Sequence, residues 1–152
     1  MHFSRANQAD LLEAAKTLTA STGWRRDAMA WGIYDADQLR GVAVFQAFTG
    51  TGAEFHFGMM PGRRVGKEVM QGIISMAMHP RGMNLTHLIA PIAVDNVRAQ
   101  VAALKCGAQI EARVRGSLWG GGDAILFLLA RGDAGQQQSA MTVTANDALS
   151  GA

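Results

Sequence analysis

Cysteine, proline and long apolar runs are all scarce in this chain of 152 residues. It contains one cysteine, Cys106, and three prolines. A single cysteine cannot form a disulfide within the chain, and it is typical of a reducing compartment. The longest apolar run, residues 124–130, is far shorter than the ~20 residues that cross a bilayer, and the N-terminus has no signal-peptide pattern. We therefore expect a cytoplasmic protein without membrane contact.

Charge is also low, since the formal net charge is +2. The arginines are scattered apart from the pairs Arg25–Arg26 and Arg63–Arg64. They form no basic stripe, which argues against general nucleic-acid binding. The four histidines and the cysteine lack the spacing of metal ligands, so no metal site is predicted.

Hydrophobic periodicity predicts one α/β domain with a mixed sheet over residues 1–131. Asn7 is expected to cap the first helix with its side chain. The next three strands are close enough in sequence to form an antiparallel meander. A β-α-β-α unit and a C-terminal hairpin then follow. The expected elements are a strand at 3–5, a helix from Asn7 through Leu18, strands at 29–34, 39–48 and 53–59, a helix at 65–78, a strand at 85–92, a helix at 96–105, and strands at 108–118 and 124–130.

The composition changes at the C-terminus, where residues 132–152 have little to bury and no clear period. Such a segment is typical of a polar tail. A protein partner or a second copy of the chain could contact this tail.

The turn Pro61–Lys67 follows a strand and opens a helix. A glycine-bearing turn at a helix start leaves backbone N–H groups unpaired. Together with Arg63, Arg64 and Lys67, these groups indicate an anion site suited to a pyrophosphate. The alternative is a basic, solvated helix start. The nucleotide-binding pattern G-x-x-x-x-G-K-[ST] fits poorly, because its spacing is one residue short and Glu68 stands where a hydroxyl would hold magnesium.

Two segments carry a family likeness. Residues 63–68 fit the pattern [QR]-x-x-G-x-[GA] except at Glu68, the last position. Residues 96–108 fit N-x-x-A-x-x-x-Y-x-K-x-G-F, with Ala103 in place of the tyrosine and Ala108 in place of the phenylalanine. Together they resemble the GNAT superfamily of acetyl-CoA-dependent N-acetyltransferases, including small members commonly encoded by phages. The residues that match the second pattern are Asn96, Ala99, Lys105 and Gly107.

The resemblance implies a GNAT-like fold over residues 1–131, acetyl-CoA as cofactor and an amine as acceptor. Backbone groups near Met59 would hold the pantetheine arm, and Asn96 would lie near it on the facing helix. The strands at 53–59 and 85–92 would diverge beside the turn to admit the cofactor. The residues expected to hold the pyrophosphate are Arg63, Arg64, Val65, Gly66 and Lys67.

Two residues are candidate proton acceptors. Glu54 and His56 share one face of a predicted strand, and relatives often place a carboxylate on this strand. The alternative is an exposed polar face of a half-buried strand. Ala103 cannot protonate the leaving thiolate as the usual tyrosine would, and Glu68 adds negative charge near the expected pyrophosphate.

The sequence thus predicts an N-acetyltransferase that moves an acetyl group from acetyl-CoA to an amine. The alternative is a catalytically weak or inactive interaction protein with the same fold, such as a phage virion component whose tail docks on a partner chain. An enzyme encoded by a phage would work in the cytoplasm of a bacterial host.

Overall fold

The computed structural model describes residues 1–64, 66–118 and 121–132. Within these residues, seven strands form one sheet and three helices flank it. The order of elements agrees with the order that the periodicity predicts. The elements are β1 His2–Ser4, α1 Gln8–Thr19, β2 Met29–Asp35, β3 Gln38–Gln46, β4 Gly52–Met59, α2 Lys67–Met78, β5 His87–Ala93, α3 Val97–Lys105, β6 Gln109–Val114 and β7 Ala124–Ala130.

The sheet is mixed, with strand order β1-β2-β3-β4-β5-β7-β6. β2, β3 and β4 form the predicted antiparallel meander, and β1 pairs antiparallel with β2. β4 and β5 then pair in parallel, and α2 supplies the crossover that a parallel pair requires. β7 lies between β5 and β6 and pairs antiparallel with both. The sheet thus confirms the α/β class and the mixed strand directions.

Two helices cover opposite faces of the sheet. Leu11 and Ala15 of α1 pack against Val42 and Val44 of β3 on what we call the α1 face. The opposite face, the α2 face, is covered by Ile73 and neighbouring residues of α2. Because strand side chains alternate between faces, each residue of β4 is assigned to a face by its register with β3,.

The start of α1 corrects one prediction. Asn7 precedes the helix, but its side chain makes no capping hydrogen bond. Its φ of 62° is left-handed, whereas a capping side chain normally extends from β-region backbone. Gln8 instead secures this end, because its side-chain amide donates to Ala30 O (2.7 Å) and accepts from Ala30 N (2.8 Å).

Two predicted strands are too long. The strand predicted at 39–48 ends at Gln46, because the Asp27 carboxylate accepts the N–H groups of Ala47 and Phe48 and draws the chain away from the sheet. The strand predicted at 108–118 ends at Val114, where the chain turns. Residues 133–152 of the predicted tail lie outside the described residues. None of the described helices is long and apolar enough to cross a membrane.

Candidate active site

β4 and β5 diverge after a short parallel pairing. Their register joins Gly52 to His87, Ala53 to Leu88 and Glu54 to Ile89. β4 then continues to Met59 without a further pair on β5, whereas β5 stays paired with β7 along its length. A wedge-shaped gap, which we call the fork, therefore opens between the two strands after Glu54. The predicted cofactor site requires such a divergence.

The backbone groups of β4 that face the fork follow from the antiparallel pattern. Met60 N donates to Arg40 O at 2.8 Å, so every second residue counted back from Met60 exchanges hydrogen bonds with β3. Phe57 and Met59 are the intervening residues, and their N–H and C=O groups point away from β3. They point into the fork, where β5 supplies no opposite residue. Met59 was a predicted cofactor contact.

The turn after β4 leads directly into α2. Arg63 N donates to Met60 O at 3.2 Å, closing the turn. Gly66 is the N-cap residue of α2 and has no side chain that could accept a first-turn amide. Consequently the N–H groups of Lys67 and Glu68 have no acceptor among the described residues, and they add to the positive end of the helix dipole.

The side chains of this turn are exposed. Arg63, Arg64 and Lys67 surround the helix start with positive charge, while Glu68 in the first turn of α2 opposes it. Val65 lies outside the described residues. The structure therefore places four of the five predicted pyrophosphate residues at one helix start.

Asn96 has a structural role in the fold. Its Oδ1 accepts from Ala99 N at 3.2 Å and caps α3. Its predicted contact with the pantetheine stays a prediction. Burial raises the pKa of the Cys106 thiol at the end of α3, and the positive charge of Lys67 at the start of α2 opposes this rise.

Glu54 and His56 lie on the α1 face of β4 and contact each other. His56 Nε2 is 2.5 Å from Glu54 Oε1, and the two side chains are 17% and 29% exposed, respectively. Gln46 of β3, opposite Glu54, donates from Nε2 to the same Oε1 at 2.9 Å. The alternative of a plain exposed polar face does not describe this arrangement. Phe55 and Phe57 point to the α2 face, as predicted.

The electrostatics of the cluster fix which group donates. The His56 hydrogen bond, aided by that of Gln46, holds the pKa of Glu54 below its usual range despite partial burial. Glu54 is therefore a carboxylate, which only accepts, so His56 Nε2 carries a proton. Gln46 Nε2 is also a donor, and its 3.4 Å approach to His56 Nε2 is not a hydrogen bond between them. Glu54 Oε2 has no hydrogen-bond partner among the described residues.

The connection between α1 and β2 contacts the cluster of Glu54, His56 and Gln46. The Trp24 ring meets the His56 ring edge-on, with centroids 5.3 Å apart, and Trp24 Nε1 donates to Leu12 O at 2.8 Å. Arg25 N donates to Gln46 Oε1 at 2.9 Å. Sequence reasoning missed Gln46, although one signal marks it. Its amide ends a strand face that is otherwise apolar at Val42 and Val44.

The described residues hold no group of three or more His, Cys, Asp or Glu side chains that could bind a metal ion. The candidate site therefore consists of the fork, the helix start beside it, and the hydrogen-bonded Glu54 cluster. These parts can bind a polar cofactor arm and an anion, and they can accept a proton.

Comparison with known proteins shows which solved structures share this fold. No family model and no curated protein matches the sequence, but solved structures match the fold. A mutant form of spermidine N-acetyltransferase SpeG from Vibrio cholerae is 14% identical, with a TM-score of 0.72, and the match covers 86% of this chain and 95% of that one. The N-acetyltransferase PseH of Campylobacter jejuni, in complex with acetyl coenzyme A, is 18% identical, with a TM-score of 0.59 and 70% of each chain covered. The chain has the GNAT N-acetyltransferase fold.

The predicted resemblance to GNAT proteins is confirmed at the level of the fold. A second SpeG structure, solved in complex with manganese ions, is 16% identical with a TM-score of 0.67, and the match covers 85% of this chain and 91% of that one. Identities this low show the GNAT fold alone, because one fold hosts many activities. These structures do not identify the amine that would receive the acetyl group.

Proposed function

We propose that this chain is an acetyl-CoA-dependent N-acetyltransferase that acetylates an amine. The observation that carries the proposal is the fork, with the backbone groups of Phe57 and Met59 directed into it and the start of α2 at its wide end. The Glu54 cluster lies on the α1 face, where the fork begins. Cofactor and proton acceptor would therefore meet at the same point.

The residues of the fork suit the cofactor. The pantetheine arm of acetyl-CoA carries amide groups, and the free N–H and C=O groups of Phe57 and Met59 would hydrogen-bond to them as a strand would. The pyrophosphate would lie on the free N–H groups of Lys67 and Glu68, beside Arg63 and Arg64. When bound, acetyl-CoA supplies the activated acetyl group as a thioester.

The Glu54 cluster would prepare the acceptor. An amine attacks the thioester only after it loses its ammonium proton, because the lone pair must be free. The Glu54–His56 pair would accept this proton at Glu54 Oε2 or His56 Nδ1, neither of which has a hydrogen-bond partner among the described residues. In the second case the Glu54 carboxylate stabilises the imidazolium, since its hydrogen bond from His56 Nε2 is already formed.

The leaving thiolate would receive no proton from position 103, because Ala103 has no donor. A thiol has an ordinary pKa of about 8.5, so its thiolate is a stable leaving group near neutral pH. Solvent can protonate it after departure. The absence of the tyrosine therefore lowers the expected rate without preventing transfer.

A GNAT-fold interaction protein without activity is the second candidate. Glu68 beside the phosphate position and Ala103 in place of the acid both favour it. Docking of the tail on a partner chain, a virion role and cytoplasmic location stay predictions.

Calorimetry with acetyl-CoA, followed by release of free thiol with a panel of amines, tests the proposal. The panel contains spermidine, a free amino acid, an amino sugar and a peptide with a free N-terminus. We expect binding of acetyl-CoA and turnover with at least one class of amine. Binding without turnover across the panel would favour the interaction protein, and absence of binding would remove the cofactor assignment.

A further inference from the structure

Gln46 is the one polar side chain classed as buried in the described part of the chain, at 7% exposure. It ends β3 opposite Glu54. A buried amide is costly unless its donor and acceptor are both satisfied. Gln46 satisfies them on two different elements, namely the connection before β2 and the strand β4.

The orientation of the Gln46 amide follows from its partners. The backbone N–H of Arg25 can only donate, so the group that it meets at 2.9 Å must be the carbonyl oxygen Oε1. The amide nitrogen Nε2 is thereby turned toward Glu54 Oε1, also at 2.9 Å. A flipped amide would lose both hydrogen bonds at once.

Two donors consequently meet on one oxygen of Glu54. His56 Nε2 and Gln46 Nε2 both bind Oε1, which leaves Oε2 without a partner among the described residues. His56 alone would leave the carboxylate free to turn about that single contact. The second donor, anchored to the backbone of Arg25, fixes the plane of the carboxylate.

We propose that Gln46 is a positioning residue for acetyl transfer, holding the Glu54–His56 pair in the orientation that receives the acceptor's proton. The inference rests on the proposed function, because it assigns Gln46 a part in that reaction. Gln46 acts through Glu54 and touches neither the amine nor the thioester. Its second bond ties the proton acceptor to the same connection that places Trp24 over His56.

Removal of the Gln46 donor should change how the pair titrates. The titratable or charged groups that face Glu54 are His56 on its own strand and Arg25 on the connection before β2. The hydrogen bond from Gln46 is one of the contacts that lower the pKa of Glu54. Loss of this donor should therefore make the Glu54 carboxylate easier to protonate.

The test compares Gln46→Met, which keeps length but cannot donate, with Gln38→Met at the exposed start of the same strand. The pH profile of kcat/KM, the KM for acetyl-CoA and the carbon NMR titration of the glutamate carboxyls are measured, with Glu54 assigned by Glu54→Gln. In Gln46→Met, we expect the acid limb and the Glu54 titration to move to higher pH, because the carboxylate has lost one of its two donors,. The KM for acetyl-CoA should stay unchanged, and Gln38→Met should match the wild type.

A second variant guards against misfolding. Gln46→Glu keeps the shape of the side chain and its acceptor for Arg25 N, but it sets a second carboxylate beside Glu54, so the acid limb should again move upward. If the wild type is active and neither variant shifts the limb or the Glu54 titration, the role of Gln46 is wrong while the proposed function stands. If the wild type transfers no acetyl group to any amine of the panel, the proposed function fails and this role fails with it.

Discussion

Gly58 of β4 lies so close to Leu18 of α1 that a Cβ on the glycine would stand 2.5 Å from the Cβ of the leucine. The backbone of Leu18 is also within 3.3 Å of that position. Because Gly58 follows His56 by two residues on the same face, this contact sets the height of α1 above the Glu54 cluster. The candidate site thus depends on a residue that has no side chain.

Gly58→Ala should destabilise the fold by about 1–3 kcal/mol, the usual cost of overpacking a close contact. The reason is that the backbone of α1 must move, since Leu18 offers more than a flexible side-chain tip. Urea unfolding measures the change. Gly23→Ala is the matched control, because nothing lies within 4 Å of its added Cβ, and it should change stability by no more than about 0.5 kcal/mol. Equal stabilities for the two variants would contradict the predicted contact.

Glu54→Gln should lower kcat by about 10²–10⁴-fold, the usual contribution of a positioned proton acceptor. The amide keeps the size of the side chain but cannot take a proton. Steady-state kinetics against the best amine measures the loss, and calorimetry should show unchanged acetyl-CoA affinity. Glu111→Gln, on the fully exposed strand β6, serves as control. A fully active Glu54→Gln variant would show that Glu54 neither accepts the proton nor stabilises a protonated His56.

Arg64→Glu should weaken acetyl-CoA binding by about tenfold or more, which corresponds to ~1.4 kcal/mol. It puts a second carboxylate beside Glu68 at the start of α2, where the pyrophosphate is expected. Calorimetry measures the affinity, and the difference should shrink at high salt because exposed charges are screened. Arg81→Glu, beyond the other end of α2, should bind like the wild type. An unchanged affinity for Arg64→Glu would mean that this turn is not the cofactor site.

Glu68→Ala should have opposite effects on binding and stability. The substitution restores the small residue of the GNAT pattern and removes a charge that repels a pyrophosphate, so acetyl-CoA should bind more tightly. It also removes an acidic residue from the first turn of α2, which should cost about 0.3–1 kcal/mol of stability. Calorimetry and urea unfolding measure the two effects. Tighter binding is the decisive outcome, and weaker binding would contradict it.

The free energy of unfolding should fall as the solution becomes acidic. Hydrogen bonds lower the folded-state pKa of Glu54, through His56, and of Asp27, through Phe48 and Ala47. In the unfolded chain the pKa is about 4.3 for a glutamate and about 3.9 for an aspartate. Because the folded-state pKa of each group is lower, its contribution to stability is present above these values and is lost as the pH falls through the folded-state pKa. Urea unfolding from about pH 6 to about pH 3 measures this loss. Asp27→Asn should show a smaller loss than the wild type; an identical loss would contradict the assignment.

Much of the fold could be predicted because its signals are local. The alternation of strands and helices sets element order, and the period of two puts Glu54 and His56 on one face of β4. The errors came from contacts between distant residues. β3 ends at Gln46 because Asp27, about twenty residues earlier, takes the next two backbone amides. Periodicity within one segment carries no information about such a capture.

The site could be predicted only in part for the same reason. Glycine and arginine beside a helix start are visible in the sequence, so the turn 61–67 could be predicted as an anion site, and it stays a prediction. Gln46 was missed because its meaning depends on Arg25 and Glu54 together, which only the folded sheet brings within hydrogen-bonding distance. The side-chain cap at Asn7 was wrong because a left-handed φ cannot be seen from residue type alone.

The brief parallel pairing of β4 and β5 makes the seven strands behave as two sheets joined by a short seam of three residue pairs. A coenzyme arm lying in the fork would supply hydrogen bonds between β4 and β5 where the two strands do not pair with each other. The ligand would then stabilise the fold as well as react, and above its dissociation constant the stabilisation would grow with the logarithm of its concentration. The melting temperature should therefore rise as coenzyme A is added, even when no amine is present.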